Sequence, residues 1–253
     1  QYNVALGANS LLNNTTGDSN TAIGTTALGQ NTAGNSNVAV GRQALTANTI
    51  GSNNTAVGLQ ALNANTTGGS NVAIGYQSLY SNTTGASNTA VGYQAGYTNS
   101  TGTQGVFIGQ QAGYYASTYS SISALGFRAG YNFSGATSEA GSSTFLGYQA
   151  GFATTTGRDN VFIGYAGINN TTGSNNTAIG STAFNANTTG SFNTSLGTYA
   201  LQSNTTGTNN TASGYQALYL NTASNNTAFG TNSLRNNSSG TPNDAFGVQA
   251  LYL

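Results

Sequence analysis

The sequence predicts an all-β fold, a β-solenoid (β-roll) of about fifteen coils of 17 residues each. A glycine that closes an Ala-Val-Gly or Ala-Ile-Gly type of triplet recurs fifteen times in 253 residues, most often 17 residues apart. The residue before this repeat glycine is apolar in fourteen of the fifteen copies, and loops such as Asn-Thr-Thr-Gly separate the copies. Helical repeats need about 33 residues or more per unit, so the short period favours stacked β coils. Asn and Gly in the loops supply turns.

The coil around Gly58 shows how each element is assigned. Thr55 to Val57 is predicted to be one short strand and Gln60 to Leu62 a second, with turns between them. We expect Val57 and Leu62 to face a thin dry core and Ala56 to lie on the other side of its strand. Stacked coils lie about 4.8 Å apart, so equivalent residues form columns. The asparagine that opens each unit is predicted to form an amide ladder. These asparagines are Asn3, Asn20, Asn37, Asn54, Asn71, Asn88, Asn160, Asn176, Asn193, Asn210, Asn226 and Asn243.

The whole chain, residues 1–253, is predicted to be a single solenoid domain. Residues 1–108 and 169–253 hold regular coils, and residues 109–168 hold irregular, aromatic-rich coils. In that middle section the leucine becomes glycine, as at Gly113, and an aromatic residue follows. The interval from Gly126 to Gly147 is also longer than the others, and inserted loops in solenoids often bind partners. The predicted contact loop comprises Arg128, Phe133, Glu139, Arg158 and Asp159.

Composition excludes several classes of function. Four basic and four acidic residues give a net charge of zero, which lacks the electrostatic footprint of a nucleic-acid binder. No apolar run approaches the roughly 18 residues of a membrane span. Without His, Cys or Lys, most pairs of nucleophile and base are impossible, so we expect no enzyme, no metal and no cofactor. Glu139 and Asp159 are a conceivable carboxylate pair, but a local ion pair with Arg158 is the simpler interpretation.

The Asn-Thr-Thr loops match the acceptor pattern for N-linked glycosylation. The same residues are turn formers, which accounts for the match without any sugar. The predicted glycosylation positions are Asn65, Asn82, Asn99, Asn187, Asn204 and Asn237.

A core this thin limits the stability of a single chain, so we expect several copies, three in number, to pack side by side. The alanine column beside a tyrosine stripe would let another subunit approach closely. Head-to-tail pairing of strand edges, which would build a filament, is the alternative. The predicted packing stripe comprises Tyr76, Tyr93, Tyr148, Tyr165 and Tyr215.

The segment Asn71-Val72-Ala73-Ile74-Gly75-Tyr76-Gln77-Ser78 resembles the head repeat of trimeric autotransporter adhesins. The segment from Asn88 to Tyr97 is similar to repeats of phage tail fibres and bacterial surface proteins. The resemblance implies a trimeric, left-handed β-roll in an extracellular, cell-surface or virion fibre with an adhesin-like, multivalent surface. The adhesin repeat is shorter than 17 residues, so the loop side is larger here. Self-association and surface glycans are the partners that it implies.

Two alternatives use the same solenoid. The segment from Asn54 to Gly58 is somewhat similar to plant ice-binding repeats, and rows of threonine could order water. Threonine is also simply a good strand residue. A carbohydrate-binding section of a tail fibre is the other alternative, because exposed tyrosines can stack on sugars.

Overall fold

The computed structural model describes residues 2–118, 120–134 and 142–252. Within these residues there is no helix, and each coil holds one short parallel strand. The predicted β-solenoid of about fifteen 17-residue coils is confirmed. The strands are β1 Val4–Leu6, β2 Thr21–Ile23, β3 Val38–Val40, β4 Thr55–Val57, β5 Val72–Ile74, β6 Thr89–Val91, β7 Val106–Ile108, β8 Ser123–Leu125, β9 Thr144–Leu146, β10 Val161–Ile163, β11 Thr177–Ile179, β12 Thr194–Leu196, β13 Thr211–Ser213, β14 Asn226–Phe229 and β15 Asn243–Phe246.

The described chain forms two compact units. The first holds β1–β8 and the second holds β9–β15. Within each unit consecutive strands pair in parallel and in register, so that Ala56 lies opposite Ala73 in the first unit and Thr194 opposite Thr211 in the second. This register places chemically equivalent residues in columns along each unit.

The middle residue of each strand faces the core, which reverses the predicted orientation of the strands. Ala56 is fully buried, whereas Ile74, which precedes a repeat glycine, is 40% exposed. The prediction of an inward Val and Ile column, and of an outward alanine column, was therefore wrong. Side chains alternate along a strand, so only one of the two sets can face inwards. Leu62 is fully buried as predicted. Because this leucine occupies most of the small interior, only a side chain as small as alanine fits beside it.

The Gln-Ala-Leu segment is a tight turn, so the prediction of a second strand was also wrong. Gln60 and Leu62 adopt left-handed backbone conformations, with φ of 59° and 50°. Such conformations are uncommon for side chains larger than Asn or Gly. The Leu62 amide donates to the Ser78 carbonyl of the next coil at 3.0 Å, so the turn still joins adjacent coils through the backbone. The turn carries each leucine into the core.

The repeat glycine is required by a close approach between coils. Gly75 has φ of 131°, and a Cβ atom at this position would lie 2.5 Å from the carbonyl oxygen of Gly92. No other residue fits this contact without moving the coils apart. The period that dominates the sequence therefore marks the point where the backbones of neighbouring coils touch.

In the aromatic-rich coils, a phenylalanine on the strand fills the part of the core that a leucine on the facing turn fills in the regular coils. Gly113 occupies the left-handed position with φ of 57°, and a Cβ atom there would lie 2.2 Å from the ring of Phe107. In the second unit, Gly151 makes the same approach to Phe145, at 2.4 Å. Phe107 and Phe145 replace the alanine of the regular strands and are fully buried. The core stays filled because the bulky side chain moves from the turn to the strand.

The predicted asparagine ladder is confirmed. The side-chain amide of Asn54 donates to the Gly68 carbonyl at 2.8 Å, and its Oδ1 accepts from the backbone N–H of Asn71 at 3.0 Å. Asn54 is fully buried, and burial of an amide costs free energy unless it is hydrogen-bonded. The ladder meets that requirement at successive coils and fixes the stacking distance.

Candidate functional site

The outward residues beside the repeat glycine form, within each unit, a surface that we call the apolar band. It comprises three positions in each coil: three before, one before and one after the repeat glycine. Around Gly75 these residues are Val72, Ile74 and Tyr76. Ile74 and Tyr76 are 40% and 39% exposed. The band exists because the alternation of each strand sends Ala inwards and therefore sends Val and Ile outwards.

The band is present in both units. Its most exposed apolar members in the first unit, apart from the edge strand β1, are Ile23, Val38, Leu59, Ile74, Tyr76, Tyr93 and Ile108. In the second unit they are Leu146, Tyr148, Tyr165, Ile179, Leu196, Tyr215, Phe229, Phe246 and Val248. Among the described band positions only Arg42 and Asp244 carry a charge.

The band is about as large as the largest apolar patch of a typical soluble protein, which is often a functional surface. Eight strands at a spacing of about 4.8 Å and a width of about five residues give a total footprint of roughly 500 Å² in the first unit. The seven strands of the second unit give slightly less, and nearly half of their band positions hold polar residues, mostly threonine. Apolar patches of more than a few hundred Å² on a soluble protein mark interaction sites.

The predicted tyrosine stripe lies in this band. Tyr76 and Tyr93 stack with ring centroids 5.2 Å apart, and Tyr148 stacks on Phe127 at 5.3 Å. Because each ring covers the face of its neighbour, the stacked rings present mainly edges and hydroxyl groups to solvent. This arrangement suits packing against another protein surface better than it suits flat stacking on sugar rings.

A second aromatic ladder, which sequence reasoning missed, lies outside the band. Tyr80, Tyr97 and Tyr114 stack with centroids 5.2 and 5.0 Å apart. Burial raises the pKa of Tyr97, and the neighbouring Tyr80 and Tyr76 raise it further. The signal was present in the sequence as tyrosines five residues after successive repeat glycines.

The predicted contact loop is only partly outward. Phe133 is fully buried and packs edge-on against Phe145, with centroids 5.7 Å apart. The guanidinium of Arg128 lies 5.1 Å from the centroid of Phe127. Asp159 accepts a hydrogen bond from the Ser142 backbone N–H at 3.1 Å. The Arg158 backbone N–H donates to Ser174 at 3.0 Å. Glu139 lies outside the described residues.

Five of the predicted glycosylation positions are buried, and four of them belong to a second amide ladder that sequence reasoning missed. Asn65, Asn82, Asn187 and Asn204 each donate to the equivalent asparagine of the preceding coil. The Asn65 side-chain amide donates to Asn48 Oδ1 at 2.9 Å and to the Gly68 carbonyl at 3.0 Å. A sugar on that nitrogen would break this bonding and has no room, which argues against glycosylation there. The fully buried members of the predicted set are Asn65, Asn82, Asn99, Asn187 and Asn204. Asn237 is half-buried, and its amide donates to the Gly240 carbonyl at 3.1 Å.

Among the described residues, no helix is long and apolar enough to cross a membrane. Comparisons with protein-family models, curated proteins and solved structures found no match. The fold by itself defines the chain as a β-solenoid repeat protein, an architecture consistent with a structural role.

Proposed function

We propose that the chain is a non-catalytic structural segment of an extracellular or virion surface fibre, and that its copies pack side by side through the apolar band. The apolar band of each unit, in which only Arg42 and Asp244 carry a charge among the described positions, is the observation that supports this most directly. About two thirds of the band positions in the first unit are apolar, so covering about 350 Å² of apolar surface there stabilises an assembly by roughly 9 kcal/mol. Association costs about 4–15 kcal/mol, so the band of a single unit lies near the balance between monomer and assembly.

The ladders suit the chain to a mechanical role. Backbone bonds, repeat glycines and buried asparagines tie each coil to the next within a unit. Such stacking displays similar loops at intervals of about 4.8 Å. A regular display of this kind gives avidity towards a repetitive target, such as surface glycans, without a strong single site. Three copies, as the adhesin resemblance implies, is the assembly that we propose.

The test measures solution mass and particle shape for the chain and two charge variants. The band variant carries Val57→Lys, Ile74→Lys and Val91→Lys. The matched control carries Thr67→Lys, Thr84→Lys and Thr101→Lys, which lie in an exposed loop column of the same coils. Circular dichroism checks that both variants keep their strands. We expect the parent and the control to assemble, and the band variant to run as a monomer of 25.4 kDa.

A parent chain that stays monomeric at high concentration would contradict side-by-side packing. So would a band variant that assembles as well as the parent. Long unbranched fibres in electron micrographs that persist in the band variant would indicate head-to-tail joining through strand edges instead.

Ice binding is a second candidate, favoured by one observation. Thr177, Thr194, Thr211 and Thr227 lie in register on the outward side of four consecutive strands of the second unit. A flat row of hydroxyl and methyl groups about 4.8 Å apart could order water. This candidate predicts a monomer with thermal hysteresis that is lost in Thr194→Glu. A chain that self-assembles and shows no thermal hysteresis would exclude it.

A further inference from the structure

Asparagine doublets that are followed by threonine place the first side chain in solvent and the second in an inner ladder. The sequence contains six Asn-Asn-Thr triplets, starting at Asn13, Asn53, Asn169, Asn175, Asn209 and Asn225. In each triplet the first asparagine is exposed, while the second joins one of the inner ladders. The first asparagine with the threonine two residues on forms the Asn-x-Thr acceptor pattern of N-linked glycosylation. Thus each of these six triplets carries an acceptor pattern whose asparagine faces outwards.

The environment of the threonine hydroxyl divides the six triplets into two groups. This matters because the glycosyltransferases that modify asparagine recognise the hydroxyl together with the asparagine. At Asn13 and Asn169 the hydroxyls of Thr15 and Thr171 donate to carbonyls of the next coil, each at 2.8 Å. In the other four triplets the threonine lies in a strand, at the outward position before a buried alanine. Its hydroxyl makes no hydrogen bond to the described residues. These threonines are Thr55, Thr177, Thr211 and Thr227.

The backbone at these four positions also presents the asparagine. Asn53 has φ of 62°, a left-handed conformation that asparagine adopts more readily than most residues. Its backbone N–H donates to the Asn35 carbonyl at 2.9 Å, so the turn is held while the side-chain amide stays in solvent. Asn65 in the same coil has the opposite arrangement, with a buried and hydrogen-bonded amide.

We propose that Asn53, Asn175, Asn209 and Asn225 are acceptors of N-linked saccharides in this protein. The transfer forms a bond between the side-chain Nδ2 and the anomeric carbon of a phosphate-activated sugar. The bond from that carbon to the phosphate oxygen breaks, the phosphate leaves with the electron pair, and a glycosyltransferase base takes the amide proton. The donor is a polyprenyl-phosphate or nucleotide-activated saccharide. The four threonines also belong to the apolar band, so transfer to these asparagines must precede packing of the copies, and the glycopeptide map below tests this proposal separately from the assembly measurement.

Two of the acceptors compete for space. Thr211 lies opposite Thr227 in adjacent strands, which places Asn209 and Asn225 about one coil spacing apart, roughly 4.8 Å. This distance leaves little room for two sugar rings side by side. We expect one of the two asparagines to be modified in a given molecule, and Asn53 and Asn175 to be modified independently.

The deciding experiment maps glycopeptides of the chain purified from the cells that produce it, by mass spectrometry. Saccharide on the four proposed asparagines, with none on Asn65 or Asn187, is the expected result. A chain without sugar at these four positions, or with sugar on the buried asparagines instead, would overturn the proposal.

Variants expressed in the same cells distinguish loss of the acceptor pattern from loss of the fold. Thr55→Val removes the acceptor pattern at Asn53 and inserts the residue that neighbouring coils already carry as Val38 and Val72. We expect complete loss of sugar at Asn53 with the other sites unchanged and the circular dichroism spectrum retained. Thr55→Ser keeps the hydroxyl and should keep the sugar. Sugar that persists at Asn53 in Thr55→Val would count against the assignment.

A reaction with purified protein tests exposure directly. A soluble asparagine glycosyltransferase with UDP-glucose should add hexose to the folded chain at the four proposed positions. The chain unfolded in denaturant and diluted into the same reaction should also be modified at Asn65. Equal modification of Asn53 and Asn65 in the folded chain would show that burial does not select the sites.

Discussion

The exchange of leucine for phenylalanine in the core predicts a strong energetic coupling between Phe107 and Gly113. Phe107→Ala removes a fully buried ring and should cost about 3–5 kcal/mol. Gly113→Leu places a Cβ atom 2.2 Å from that ring and should cost roughly 3 kcal/mol. Together the two changes recreate the Ala and Leu pair of the regular coils, so we expect the double variant to lose only about 2 kcal/mol. The remaining loss reflects the space that Phe107 also fills beside Gly96.

Hydrogen exchange of the amides of Val106, Phe107 and Ile108 is the appropriate assay. Repeat arrays open in parts, so a global unfolding midpoint would average over the coils. Leucine should tolerate the backbone at position 113, because Leu62 already adopts φ of 50° at the equivalent place. Phe107→Ala combined with Gly130→Leu is the control, since Gly130 faces Phe145 and no rescue is expected. If the Phe107→Ala, Gly113→Leu protein is destabilised by the sum of the single effects, the volume-exchange explanation is wrong.

Three further predictions follow from the ladders. Asn54→Ala leaves the Asn71 backbone N–H without its side-chain acceptor and should cost about 1–3 kcal/mol, read from exchange of the adjacent strand amides. Gly75→Ala should cost about 3 kcal/mol or more because of the contact with Gly92, and a change within about 1 kcal/mol would contradict the close-approach argument. The raised pKa of Tyr97 means that the folded chain binds the phenol proton more tightly than the unfolded chain does. The contribution of this proton to the free energy of unfolding is therefore fully present below pH 10 and is lost as pH rises through the folded pKa. Melting temperatures at pH 9 and pH 11 should therefore diverge less in Tyr97→Phe than in the parent.

The sequence correctly predicted which residues stack in columns, but it did not predict which columns face the core. The repeat glycines and the opening asparagines recur in every regular coil, so parallel in-register stacking and the Asn54 ladder were readable without coordinates. A strand of three residues offers only one alternation, which is compatible with either face being inside. Val57 is more apolar than Ala56, so hydrophobicity alone favoured the wrong face.

The candidate site followed from that reversal. The tyrosine stripe was predicted, but the Val and Ile columns beside it were assigned to the core, so the apolar band as a whole was missed. Asn65 and Asn53 both match the glycosylation pattern, and that pattern alone does not tell a buried ladder amide from an exposed one. Their positions in the coil separate them: the Asn65 side chain is hydrogen-bonded to Asn48, whereas Asn53 lies at the tip of a turn.

The sequence by itself determined the coil length, the parallel register and the residues that must form ladders, because each depends on a repeated local pattern. The tertiary structure decided which side of each strand faces inwards, and the reason is volume. A 17-residue coil whose turn places a leucine in the interior has room for alanine opposite it. The larger Val and Ile side chains are therefore left outside, where they form the surface that we propose joins the copies.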